Sequence, residues 1–127
     1  MTALAPNGEM VQHDSFHDEA FKAAWDEMAK RVYALGHSQG FWSQGKRHPS
    51  HPIAWAMSEL GEALEAWRCG DQPDKSITSR GSFEVQLADV LGILLDMSEG
   101  YGLDLAGALA DKMEFNRTRG HLHGKRY

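Results

Sequence analysis

Cysteine is almost missing from this chain: Cys69 stands alone among 127 residues. One thiol excludes an intramolecular disulfide and any multi-cysteine zinc site, and a reducing cytosol suits such a protein. No apolar run approaches the roughly 18 residues that a membrane span needs. The opening stretch MTALAPNGEMVQHD lacks the basic-then-apolar order of a secretory signal and reads as a loose arm over residues 1–15. Alternation with period two never persists long enough to predict a strand. There is no GxxxxGK[ST] loop, so P-loop phosphate binding is not supported. Positive charge is also in deficit: the formal charge of −5 speaks against a general nucleic-acid binder.

What charge there is falls unevenly. Residues 1–111 hold 17 acids and 8 Lys/Arg, a net of −9, whereas residues 112–127 hold one acid and five bases, a net of +4. An acidic body with a basic tail suits a ligand of mixed charge, such as a metal–polyphosphate. It suits equally a solubilising tail.

Helical patterning covers the body, residues 16–127, as one domain. Four segments separate: about Phe16 to Leu35, closed by Gly36; Ser50, as N-cap, to Cys69; after Ser82 to near Gly100; and Asp104, as N-cap, to about Arg119. Loops rich in Gly, Ser and His or Asp join them. The predicted fold is all-α, a four-helix bundle.

On a helical wheel, Ile53, Met57, Leu60, Leu64 and Trp67 fall within about 80° of arc and define a core stripe on the second helix. Glu59 lies among Ala56, Ala63 and Ala66, with Glu62 at their margin, while Glu65 points away and pairs with Arg68. The third helix is apolar nearly all round and belongs mid-bundle, yet carries Asp89 and Asp96 on one line. Acids there need partners. Either they are hydrogen-bonded structural residues, or Glu59, Glu62 and Asp89 hold a hard cation, Mg²⁺ or Mn²⁺. On the fourth helix the inner stripe of Leu105 and Leu109 continues as Lys112, Asn116 and Arg119. These three either close over an anion or snorkel outward at the helix C-terminus.

With these positions the chain resembles the MazG-like, all-α nucleoside triphosphate pyrophosphohydrolases. That family is marked by E-x-x-E on one helix, E-x-x-D on the next, and a Lys and an Asn four residues apart on a later one. Here the motifs are ELGE (Glu59, Glu62), QLAD (Gln86, Asp89) and KMEFN (Lys112, Asn116), and the tail NRTRGHLHGKRY is similar to that of small phage-type and bacterial members. The resemblance implies cleavage between the α- and β-phosphates of a (d)NTP, giving a (d)NMP and pyrophosphate. It implies Mg²⁺ held by Glu59, Glu62 and Asp89, phosphates contacted by Lys112 and Asn116, and a homodimer or dimer of dimers. Glu59 or Glu62 would orient or deprotonate the attacking water.

Gln86 departs from the family pattern. Its carbonyl can ligate Mg²⁺, but without charge and without acting as a base. Glu84 points elsewhere on an intact helix, and Asp96 lies about 10 Å further along the axis, placed for a second ion or for substrate. Three expectations follow: retained activity with weaker metal binding, nucleotide binding without efficient turnover, or a different approach of the third helix. The second would make the chain a regulatory protein. A helical partner-binding module without ligand is the remaining alternative. In the loops, Trp42 either stacks on a base or caps the core, Lys46, Arg47, Lys75 and Arg80 reach phosphates or solvent, and the scattered histidines are read as solvated or substrate-facing.

Overall fold

A computed structural model describes residues 2–4, 10–12 and 15–126. The order is β1 (Thr2–Leu4), β2 (Met10–Gln12), α1 (Glu19–Ser38), α2 (Ser50–Arg68), α3 (Ser82–Gly100), α4 (Leu105–Arg117) and a 3-10 turn (His121–Gly124). The body is all-helical, as its periodicity predicts. The arm differs: β1 and β2 pair antiparallel, Thr2 opposite Gln12 and Leu4 opposite Met10. Strands of three residues are too short for alternation to announce them. The rest of the expected arm up to position 14 lies outside the described residues. Among the described residues no helix is long and apolar enough to cross a membrane.

Helix ends follow local hydrogen bonding. Asp18 accepts from the Ala20 and Phe21 amides (2.8 and 3.1 Å), so α1 starts three residues later than its apolar pattern suggests. It also runs on through Gly36, the expected stop. Gly36 serves a close approach: a Cβ there would meet Asp96 Oδ1 at 3.3 Å. At α2 the cap is Pro49 rather than Ser50, whose hydroxyl lies 2.8 Å from His48 Nδ1. Asp104 caps α4 as expected, accepting from the Gly107 amide at 3.0 Å, but the helix ends at Arg117 rather than near Arg119. The loop before α3 is organised by two aspartates absent from the sequence reading. Asp71 accepts from the Phe83 amide (2.8 Å), and buried Asp74 accepts from the Ile77 and Ser76 amides, which hold its carboxyl below the ordinary range.

The chain divides into two compact units, Met1–Asp26 with Asp104–Tyr127, and Glu27–Leu103. In the second unit α2 packs along α3. Which face of α2 is buried corrects the expectation. Pro52, Ala56 and Ala63 are buried, and Glu59 and Ala66 half-buried, a seam of small residues spaced 4-3-4-3. The large residues Ile53, Met57, Leu60, Leu64 and Trp67, about 100° round the helix, are 48–67% exposed. Small side chains let the α3 backbone come close, and the bulky stripe is left outside. Nor is α3 enclosed on all sides: Leu87, Leu91 and Leu94 are 38–45% exposed.

Candidate functional site

The small-residue seam of α2 brings Glu59 toward α3. Its carboxylate accepts from the Trp55 indole N–H one turn earlier, at 3.0 Å. Burial pushes the Glu59 carboxyl above the ordinary range, the Trp55 bond pulls it back, and the charges of Glu62 and Asp89 push it up again. Glu62 is also within hydrogen-bonding reach of Glu59. Two acids, one from its own helix and one from α3, therefore act on Glu59, and the three are those singled out from sequence. Glu65 is not among them: it accepts from the Cys69 thiol at 3.3 Å, and among the described residues it makes no ion pair with Arg68, contrary to expectation.

Gln86 sits on α3 one turn before Asp89. Its side-chain oxygen is buried and has no hydrogen-bond partner among the described residues. A buried carbonyl without a donor is costly unless something meets it. Three carboxylates and an orphaned amide oxygen are the donor chemistry of a hard divalent cation. The set fits such an ion in kind, but among the described residues no group of three His, Cys, Asp or Glu side chains is placed to hold a metal ion.

Two expected substrate contacts serve the core instead. Trp42 is 6% exposed, packs between Tyr33 and Tyr101, and its ring covers Gly100. Its indole N–H donates to Asp96 Oδ1 at 3.0 Å, and Arg47 meets Asp96 Oδ2 at 3.4 Å. Burial raises the Asp96 carboxyl while these two partners lower it. Trp42 caps the core and Asp96 is bonded beneath it. The cause is visible in Gly36 and Gly100, which give the indole room on α1 and α3.

Arg47 ties the α1–α2 loop down. Its guanidinium lies over Trp42 and Phe41, 4.9 and 5.7 Å from the ring centroids, and its carbonyl accepts from the Tyr101 hydroxyl at 2.7 Å. The fixed loop and the first turns of α2 enclose a cleft of 790 Å³, lined by Phe41, Lys46, Arg47, His48, His51 and Trp55 among others. Trp55 is thus a wall of the cleft and a partner of Glu59 at once.

In the other unit, α4 carries the remaining candidates. Lys112 Nζ and the Arg119 guanidinium lie 5.1 and 5.9 Å from the Phe115 ring centroid. The Asn116 side-chain oxygen is buried and has no hydrogen-bond partner among the described residues. Around them Phe16 donates its amide to Glu114 (3.0 Å), which holds that carboxyl below the ordinary range, and His17 meets Asp111 at 2.7 Å.

No family model, no curated protein and no solved structure matches this chain.

Its chemistry therefore has to be read from the residues. Glu59 is pressed by two neighbouring acids, and the cleft walled by Trp55 is cationic and aromatic, a lining that suits an organic anion. Sequence reasoning singled out the acids and missed Trp55. The signal was present in its position four residues before Glu59, which on a helix is contact distance.

Proposed function

We propose that this chain is a metal-dependent nucleoside triphosphate pyrophosphohydrolase, built on a MazG-like four-helix bundle and working as a homodimer or dimer of dimers. The observation that carries the proposal is the placement of Glu59 on the α2 seam facing α3, where the charges of Glu62 and Asp89 both push its carboxyl up. A carboxyl held above its ordinary range by burial and by two neighbouring acids calls for a counter-charge. Glu59, Glu62, Asp89 and the Gln86 oxygen would hold Mg²⁺ or Mn²⁺. When bound, such an ion neutralises phosphate oxygens and acidifies water.

The chain's own groups supply the rest. Glu59 or Glu62 would take the proton of the attacking water. The bond of Glu59 to Trp55 engages one oxygen and orients the other. Water attacks at the α–β anhydride, its proton passes to Glu59 or to Glu62 one turn on, and the bridging oxygen leaves with pyrophosphate. The outward stripe of α2 and the exposed leucines of α3 would be covered by a second copy.

The test is pyrophosphate release from the eight common NTPs and dNTPs, with Mg²⁺ and with Mn²⁺. At least one should be cleaved, and Glu59→Gln and Asp89→Asn should each abolish release. Failure of every nucleotide, or full activity in both variants, overturns the proposal. The neutral Gln86 favours a second function, nucleotide binding without efficient turnover; a large gain of activity in Gln86→Glu would select it.

A further inference from the structure

We propose that the cleft beside Trp55 seats the heterocyclic base of the nucleotide, recognised by ring stacking and not by its hydrogen-bonding edge. The inference builds on the nucleotide function proposed above and names the part of the ligand this cleft would take. Its volume of 790 Å³ is that of a small-molecule pocket. Phe41 and Trp55 form one wall, with ring centroids 5.5 Å apart and planes 36° apart. Both rings are more than 40% exposed, which a core pair would not be.

The polar lining suits a flat ring that carries phosphates. His48 Nδ1 accepts the Ser50 amide at 3.2 Å, which leaves the ring proton of neutral His48 on Nε2 as a donor. Lys46 and His51 add donors. Arg47 is a positioning residue: its contacts with Asp96 and Trp42 hold the loop, so the wall is preorganised. Trp55 also fixes the register between the two ends of the ligand. Its indole lines the cleft while its N–H is bonded to Glu59, so a base against this wall leaves its phosphates directed at the acids.

Stacking on aromatic rings is worth about 1–3 kcal/mol per base, which is about 5- to 150-fold in affinity, and tolerates every base. Calorimetric titration of wild type, Phe41→Ala and Trp55→Phe would use three probes: an α,β-imido dNTP with Mg²⁺, inorganic tripolyphosphate with Mg²⁺, and a metal-free nucleoside monophosphate. Phe41→Ala should weaken both nucleotides about 5- to 150-fold and leave tripolyphosphate unchanged. Trp55→Phe keeps a ring and should spare monophosphate binding. Equal losses for nucleotide and tripolyphosphate, or no loss in Phe41→Ala, would refute the base site even if pyrophosphate is released. Failure of the wild type to bind any nucleotide would refute it too. Monophosphate binding that depends on Phe41 without any pyrophosphate release would uphold the base site and refute the enzyme.

Discussion

Replacing Leu64 by Glu should leave the chain helical and make it monomeric. Leu64 is 58% exposed in the middle of a stripe whose 4-3-4-3 spacing, Ile53-Met57-Leu60-Leu64-Trp67, is that of a coiled-coil seam. With Leu87, Leu91 and Leu94 of α3 it presents eight large apolar side chains. At on the order of 100 Å² each they would bury about 800 Å² per copy, the size of a standard stable interface. Covering the exposed half of one leucine is worth about 1 kcal/mol, and seating a carboxylate there costs about 2 kcal/mol more. An isologous interface contains every substitution twice. The loss is therefore about 6 kcal/mol, a weakening of about 10⁴-fold. Sedimentation equilibrium reads this directly, with circular dichroism to check folding. Glu65→Lys, about 100° from Leu64 on the same helix, is the matched control and should associate normally. A wild type that stays monomeric, or a Leu64→Glu chain that associates as tightly as wild type, would refute the reasoning.

Metal affinity should rise in Gln86→Glu, because a charge joins the donor set; calorimetry with Mn²⁺ should show a gain, while Gln86→Leu should lose affinity. Glu59→Gln should raise the midpoint of thermal unfolding at neutral pH without metal, by about 1–2 °C after discounting for solvent screening. The sign follows from the raised Glu59 pKa: the folded chain holds this proton more tightly than the unfolded one, so the ionised group destabilises at neutral pH. That penalty disappears as pH falls through the raised pKa, and the two melting curves should converge in acid. Asp96→Ala should cost about 2–3 kcal/mol in a denaturant titration, since it leaves the buried Trp42 N–H and Arg47 without their acceptor. Gly100→Ala should cost about 1–3 kcal/mol or more, because a methyl group there overlaps the Trp42 ring.

The four helices were legible because each repeats its apolar residues at helical spacing between strong breakers. Their ends were less so. The start of α1 is set by Asp18 and that of α2 by Pro49, whereas periodicity marks only where apolar residues begin. Gly36 shows the deeper difficulty. A glycine at a helix end and a glycine beneath a packed side chain look alike in one dimension, and here the residue that needs the space, Trp42, lies in the following loop.

The acids of the site were legible for a related reason. Glu59 falls among alanines with Glu62 one turn on, and Asp89 lies on α3, so the approach of Asp89 to Glu59 requires only that α2 turn its small-residue face to α3. That face was not expected to be the buried one. A wheel weighs residues by hydrophobicity and assigns the bulky stripe to the core, whereas packing two helices closely favours the side chains that occupy least room. The same choice has two consequences. It carries Glu59 inward toward α3, and it turns Met57 and Leu64 out to where only another surface can cover them. One rotation of α2 thus decides both which acid faces α3 and which large apolar residues are exposed. If a second copy does cover the stripe, it would also press α2 onto α3 from outside and resist the repulsion that Glu62 and Asp89 exert on Glu59. Association and metal binding should then be coupled: divalent cation should tighten the dimer, and Leu64→Glu should weaken cation binding although residue 64 is no ligand. Equal Mn²⁺ affinity in wild type and Leu64→Glu would show that the two faces of α2 act independently.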